Sequence, residues 1–268
     1  MSLYAVVQER FEKIDPERLL TVLREQGRLT RTDAARVARS EQGILWERFQ
    51  FNEAQDVVGA LASHDYAARV VPAESLPKLD KPRMVRWLEI GEDALRVPWT
   101  MHQETIPVPW PCVFVISAGE VGEVTEKFVT TGVRFDANQG MIPDREVERA
   151  SRRVSVTDLI AIAEDGQYLH IRLPAKELVY DRILGPSERI QNSFQRYLAV
   201  LDELVARSSA AIVSPKTRRL LVDRKEKYEA ERSAAWSSLD KMAFEKYNRW
   251  LLQLVVFSEQ RKQKEEDP

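Results

Sequence analysis

Three prolines, Pro72, Pro77 and Pro82, recur at even spacing and divide the chain into stretches of different character. Proline lacks a backbone N–H and fixes φ, so neither a helix nor a fully paired strand runs through all three. The segment reads as a stiff, extended linker. It separates a small α/β unit, residues 1–79, from a β-rich stretch, residues 80–207, which a helical segment, residues 208–268, follows. The expected class is α+β.

Within the first unit, Leu3 to Val7 reads as a strand. Asp15-Pro16-Glu17 is a helix start, because Asp caps orphan N–H groups and Pro tolerates the first helical position. Leu19, Leu20 and Leu23 share a face, and Gly27 stops the helix. A second helix is expected from Thr30 or Thr32 to Gly43, a strand over Ile44 to Phe49, and a third helix after Asn52-Glu53-Ala54-Gln55. Tyr66 to Val71 closes the unit as a strand.

The β-rich stretch contains an unusual phrase, Ile106-Pro107-Val108-Pro109-Trp110-Pro111. Alternate residues of a strand direct their N–H groups to opposite neighbours, so prolines at every second position remove donors on one side only. An edge strand or polyproline-like segment is expected, its proline side turned away from the sheet. Trp99 and Trp110 beside these prolines form a candidate partner surface. Cys112 to Ala118 is apolar on both faces and reads as a central strand, with Cys112 a small buried hydrophobe. Residues 136–153 are charged and broken by Gly140 and Pro143, the pattern of a long loop. Val154 to Ala163 and Gln167 to Leu173 flank Asp165-Gly166 and form a hairpin. In its return strand Leu169, Ile171 and Leu173 share one face. Tyr168, His170 and Arg172 share the other, which implies a solvent-exposed or stacked imidazole.

Pro186 to Arg207 carries Ile190, Phe194, Leu198, Leu201 and Val205 at helical spacing and should close the β module. A further helix, continuous or folded back, is expected from Lys216 to about Arg261, before a disordered tail. Trp236, Tyr247, Trp250, Leu251 and Leu254 stripe that helix. A stripe of this length suits docking to the body, a protein partner or self-association, which makes Trp236 and Trp250 further candidate contacts.

Charge disfavours nucleic acid as a global partner: 40 Lys plus Arg against 42 Asp plus Glu give a formal charge of -2. Locally, the helices from Asp15 to Ser40 hold six arginines against four acids, and Arg36 and Arg39 are three apart. They are the candidate contacts of a DNA-binding regulator. No apolar run approaches the roughly 20 residues of a membrane-spanning helix, and the first residues lack a signal-peptide pattern. A cytoplasmic protein is expected.

No catalytic, metal-binding or cofactor-binding residue can be named. His64, His102 and His170 lie in different elements without ligand spacing, and one cysteine cannot support a zinc site. There is no phosphate-cradling loop and no nucleophile elbow. The acids Glu89, Asp158, Glu164 and Asp165 could meet in space, but their spacing does not show it. The expected role is that of a non-catalytic protein-interaction or small-ligand-binding module, or scaffold. The alternatives are the DNA-binding regulator and an enzyme with a composite interdomain site.

The strands from Arg83 to Leu173, the phrase Ile106 to Trp110 leading into Val113 to Gly119, and the helix after Pro186 together resemble bacterial pleckstrin-homology-like domains. That resemblance covers residues 83–207. It implies a bent antiparallel sheet or barrel closed by a helix, and binding of phosphoinositides, peptides or proteins. In this chain the loop Gly91-Glu92-Asp93 is acidic where a lipid headgroup site would be basic, so the resemblance points to protein contact.

Overall fold

The computed structural model describes residues 2–12, 14–40, 43–99, 104–136, 140–163, 166–186, 192–222 and 241–266. The molecule is α+β. The first elements follow the expected order: β1 (Tyr4–Gln8), α1 (Pro16–Glu25), α2 (Arg31–Ser40), β2 (Ile44–Phe49), α3 (Phe51–Ala62) and β3 (Ala68–Pro72). Asp15 caps α1 by accepting the Arg18 N–H at 3.0 Å, and Thr30 caps α2 through Asp33 N–H at 3.1 Å. The cap of helix α3 lies two residues before the expected one at Asn52. Glu53 accepts the Gln50 N–H at 3.0 Å, so Gln50 is the residue at the helix entrance.

The three strands form an antiparallel sheet in the order β2-β1-β3. The centre of strand β1, Ala5-Val6-Val7, is apolar because both faces are covered. Val6 faces a core with Leu19, Leu23, Val37, Val57 and Leu61 of the helices, while Ala5 and Val7 belong to a second core on the opposite side.

After the linker come β4 (Arg83–Met84), β5 (Glu89–Ile90), β6 (Ala94–Pro98) and β7 (Thr105–Pro109). Strand β7 is the edge of the antiparallel β5-β6-β7 sheet. Pro107 and Pro109 donate nothing to Arg96 and Ala94 opposite them, so Ile106 and Val108 carry the ladder and the donor-free side faces outward. This is the proline-guarded edge expected from the alternation. Trp110 to Cys112 forms a short 3-10 turn, so the strand begins at Val113, not Cys112.

A five-stranded sheet, the second of the two that the C-terminal helix covers, has the order β11-β8-β9-β10-β4. Its members are β8 (Val113–Asp136), β9 (Gly140–Ile162), β10 (Tyr168–Pro174) and β11 (Ile212–Val213). The central pairings are antiparallel, while β4 and β11 join the two edges in parallel. The β9–β10 hairpin forms as expected, with Gly166 at φ +81.

The loop expected over residues 136–153 is corrected. Most of it is strand β9, paired with β8 out to Asp136↔Gly140. The pairing runs from Val121 opposite Val154 out to Asp136 opposite Gly140, so the partner strand completes the backbone ladder of a segment whose own sequence has no apolar alternation.

Helices α4 (Tyr180–Leu184), α5 (Ser193–Arg207) and α6 (Pro215–Val222) follow. Helix α5 puts Tyr197, Leu198, Leu201 and Leu204 into a core shared with β6, β8 and β10. The expected helix from Lys216 is described as α6 and α7 (Lys241–Glu266); the Trp236 candidate lies outside the described residues. Helix α7 packs inside the molecule. Its residues Tyr247, Trp250, Leu251, Leu254 and Val255 join Ala5, Val7, Ile44 and Val71 of the first sheet and Val115 and Ile160 of the second. One helix thus covers both sheets.

Candidate functional site

Two glycines let helix α7 approach the rest of the molecule closely. At Gly43, φ is +98 and an added Cβ would lie 2.9 Å from Trp250 Cβ. At Gly119 of β8 it would lie 2.7 Å from Phe244 Cε2. Trp250 is wholly buried, donates from Nε1 to the Gln8 carbonyl at 2.8 Å, and meets Phe11 edge-on. Gln8 in turn accepts the Gly43 N–H through Oε1 at 2.6 Å.

Over the second sheet α7 covers a buried polar cluster. The hairpin register places Asp158 of β9 opposite Arg172 of β10. The Asp158 carboxylate accepts from Arg172 Nε at 2.6 Å and Nη2 at 2.7 Å, a two-point pair. Oδ2 also accepts from Asn248 Nδ2 of α7 at 2.7 Å and meets His170 Nε2 at 2.8 Å. On its other side His170 Nδ1 meets the Asp80 carbonyl of the linker at 3.0 Å. Asp158 is 0% exposed, and nothing in the cluster reaches bulk water freely. Sheet, linker and α7 meet at one carboxylate.

The expectation of a solvent-exposed or stacked His170 is therefore corrected. The parity was right, but α7 and the linker cover that face, and the imidazole is 5% exposed. Sequence reading named Asp158 without its partners and missed Arg172, Asn248, Gln8 and Gly43 as junction residues.

Two cavities flank the linker, and both are walled by Asp80, Lys81 and His170. The first, about 400 Å³, lies between β10 and the proline-guarded edge of β7. Leu169, Ile106 and Ala163 line it with Pro107, Tyr168, Arg83 and Trp99. Trp99 is 36% exposed, and the Arg83 guanidinium lies 4.3 Å from the ring centre while donating to the Trp99 carbonyl. Burial, and secondarily Glu259, push the Tyr168 phenol above its ordinary pKa.

The second cavity, about 660 Å³, is bounded by α2, β2, the linker and α7, with Arg36, Glu47, Lys246 and Arg249 among its walls. Arg249 donates to Glu47 at 2.8 Å and to the Pro77 carbonyl at 2.7 Å. Burial, with Arg249 and Arg36 nearby, holds Lys246 below the usual lysine pKa, against the pull of Glu47.

Of the four tryptophan candidates, Trp99 alone is described at a surface. Trp110 is buried and donates to the Gly91 carbonyl at 3.1 Å, and Trp250 is core, so neither forms a surface. Arg36 pairs with Asp33 at 3.0 Å and lines the second cavity, while the Arg39 side chain lies outside the described residues. Among the described residues no group of His, Cys, Asp and Glu is arranged to hold a metal, and no helix is long and apolar enough to cross a membrane. No family model, curated protein or solved structure matches the chain.

Proposed function

We propose that this chain is a non-catalytic, cytoplasmic binding protein whose contact site is the groove at Trp99. The observation that carries the reading is an exposed Trp99, stacked by Arg83, at the mouth of a cavity with an apolar floor. Its volume of about 400 Å³ falls within the range of roughly 300–1,000 Å³ typical of ligand pockets. Pro107 stiffens one rim, and strand β4 pairs with β10 only at Ile171 and Arg172, leaving Tyr168 to His170 beside the groove. A short extended segment of a partner protein suits this shape, with a flat apolar side chain beside Trp99 and a carboxylate toward Arg83 or Lys81. The pleckstrin-homology-like resemblance points the same way, toward peptide or protein contact.

The test uses anilinonaphthalene sulfonate, a probe that joins a flat apolar ring system to an anion. It should bind the native protein saturably at one site, and Trp99→Ala or Arg83→Gln should weaken that binding about tenfold, as loss of a stacked or charge-assisted contact does. Binding that ignores both changes would remove the groove from consideration.

A further inference from the structure

The second cavity has a different chemistry from the Trp99 groove and stands independently of it. Arg36 of α2, Lys81 of the linker, and Lys246 and Arg249 of α7 converge on one space of about 660 Å³. Three acids share the walls, and two of them face another cation: Glu47 is engaged by Arg249 at 2.8 Å and Glu245 lies 4.0 Å from Arg172, while Asp80 meets His170 through its backbone carbonyl. Burial thus desolvates Lys246 beside Arg36 and Arg249, and the acid nearest it, Glu47, is already held by Arg249. An anion here would give Lys246 a partner in place of the hydration it lacks, with Arg36 and Arg249 at hand to share it.

We propose that this cleft binds a small polyanion, bearing a phosphate or paired carboxylates, held between Arg36, Lys246 and Arg249. Such a ligand would bridge α2 and α7 and draw the N-terminal sheet toward the helix that covers it.

Titration calorimetry on the full chain, with inorganic phosphate in one arm and succinate in the other, tests this at constant ionic strength set by chloride. One-site binding of either anion is expected, and the arm that binds names the chemistry. The combined variant Lys246→Met and Arg36→Gln should weaken it about tenfold or more, the effect of removing charge-assisted hydrogen bonds. Methionine keeps the buried stem of Lys246 and Arg36 is largely exposed, so the variant should fold; an unchanged circular dichroism spectrum checks it. Absence of binding in both arms overturns the proposal. So does equal binding by the variant, which would mark an adventitious ion only.

Discussion

The core beneath α1, α2 and α3 and the junction beneath α7 are equally buried but are built on opposite principles. The first is apolar throughout, from Val6 and Leu19 to Val57 and Leu61. The second sets Trp250 and Leu251 beside a carboxylate, a guanidinium, an imidazole and an amide. Apolar packing is non-directional, so it tolerates small shifts of helix against sheet. A buried ion cluster is satisfied at one geometry only, and it fixes where α7 and the linker sit. The molecule uses packing to build the N-terminal layer and polar chemistry to locate the junction.

That contrast is most exposed by truncation. Asp158→Ala strands Arg172 and His170 without their acceptor and should cost about 3–5 kcal/mol in urea unfolding, as losing one partner of a buried pair does. Converting Asp158 and Arg172 together to leucine and methionine should restore much of that loss, since packed apolar replacements of buried pairs are often neutral. In the apolar core, Leu23→Ala should cost about 2–5 kcal/mol by cavity formation, and no second change of charge should rescue it. If Asp158→Ala proved milder than Leu23→Ala, the junction would owe its position to Trp250 packing instead.

Asn248→Ala removes one hydrogen bond to a charged acceptor and should cost about 1.5–3 kcal/mol. It should also speed amide exchange in the linker around Asp80, which a purely local defect in α7 would leave alone.

A smaller difference appears at high pH. Burial pushes the Tyr247 phenol of the junction and the Tyr180 phenol of the β body each up to about 12 from 10.0. The folded state holds these protons more tightly than the unfolded chain. Their contribution is therefore complete below pH 10.0 and lost as pH climbs toward about 12. Lys246, held below 10.5, has the opposite sign: its burden on stability is relieved as pH rises toward 10.5. The unfolding midpoint should stay level or rise slightly toward pH 10 and then fall. In Tyr247→Phe the alkaline fall should be shallower.

Much of the fold was legible because its signals are local. Asp15-Pro16 placed a helix start, the Asp165-Gly166 turn set a hairpin, and the proline alternation of 107 and 109 identified an edge strand. The shared face of His170 and Arg172 was legible from strand alternation, but their partner was not. A two-residue turn at Asp165-Gly166 would give pairs summing to 331 and set Asp158 opposite Leu173, whereas the observed pairs sum to 330 and bring it to Arg172. The rest depended on α7. Nothing in the local pattern of Tyr168, His170 and Arg172 tells that a helix some eighty residues later covers their face. Residues 140–153 were misread for a related reason. Charged and broken by Gly140 and Pro143, the segment has no alternation of its own, and only its pairing with β8 marks it as a strand.

The central claim is that α7 joins the N-terminal sheet and the β body into one cooperative unit through Trp250 and Asn248. Native-state hydrogen exchange across a urea series tests it most directly. The account predicts that amides of β1 and of β9 open with the same free energy and urea dependence. Asn248→Ala combined with Trp250→Ala should split them, with β1 opening first. Separate openings already present in the unaltered protein would contradict the claim.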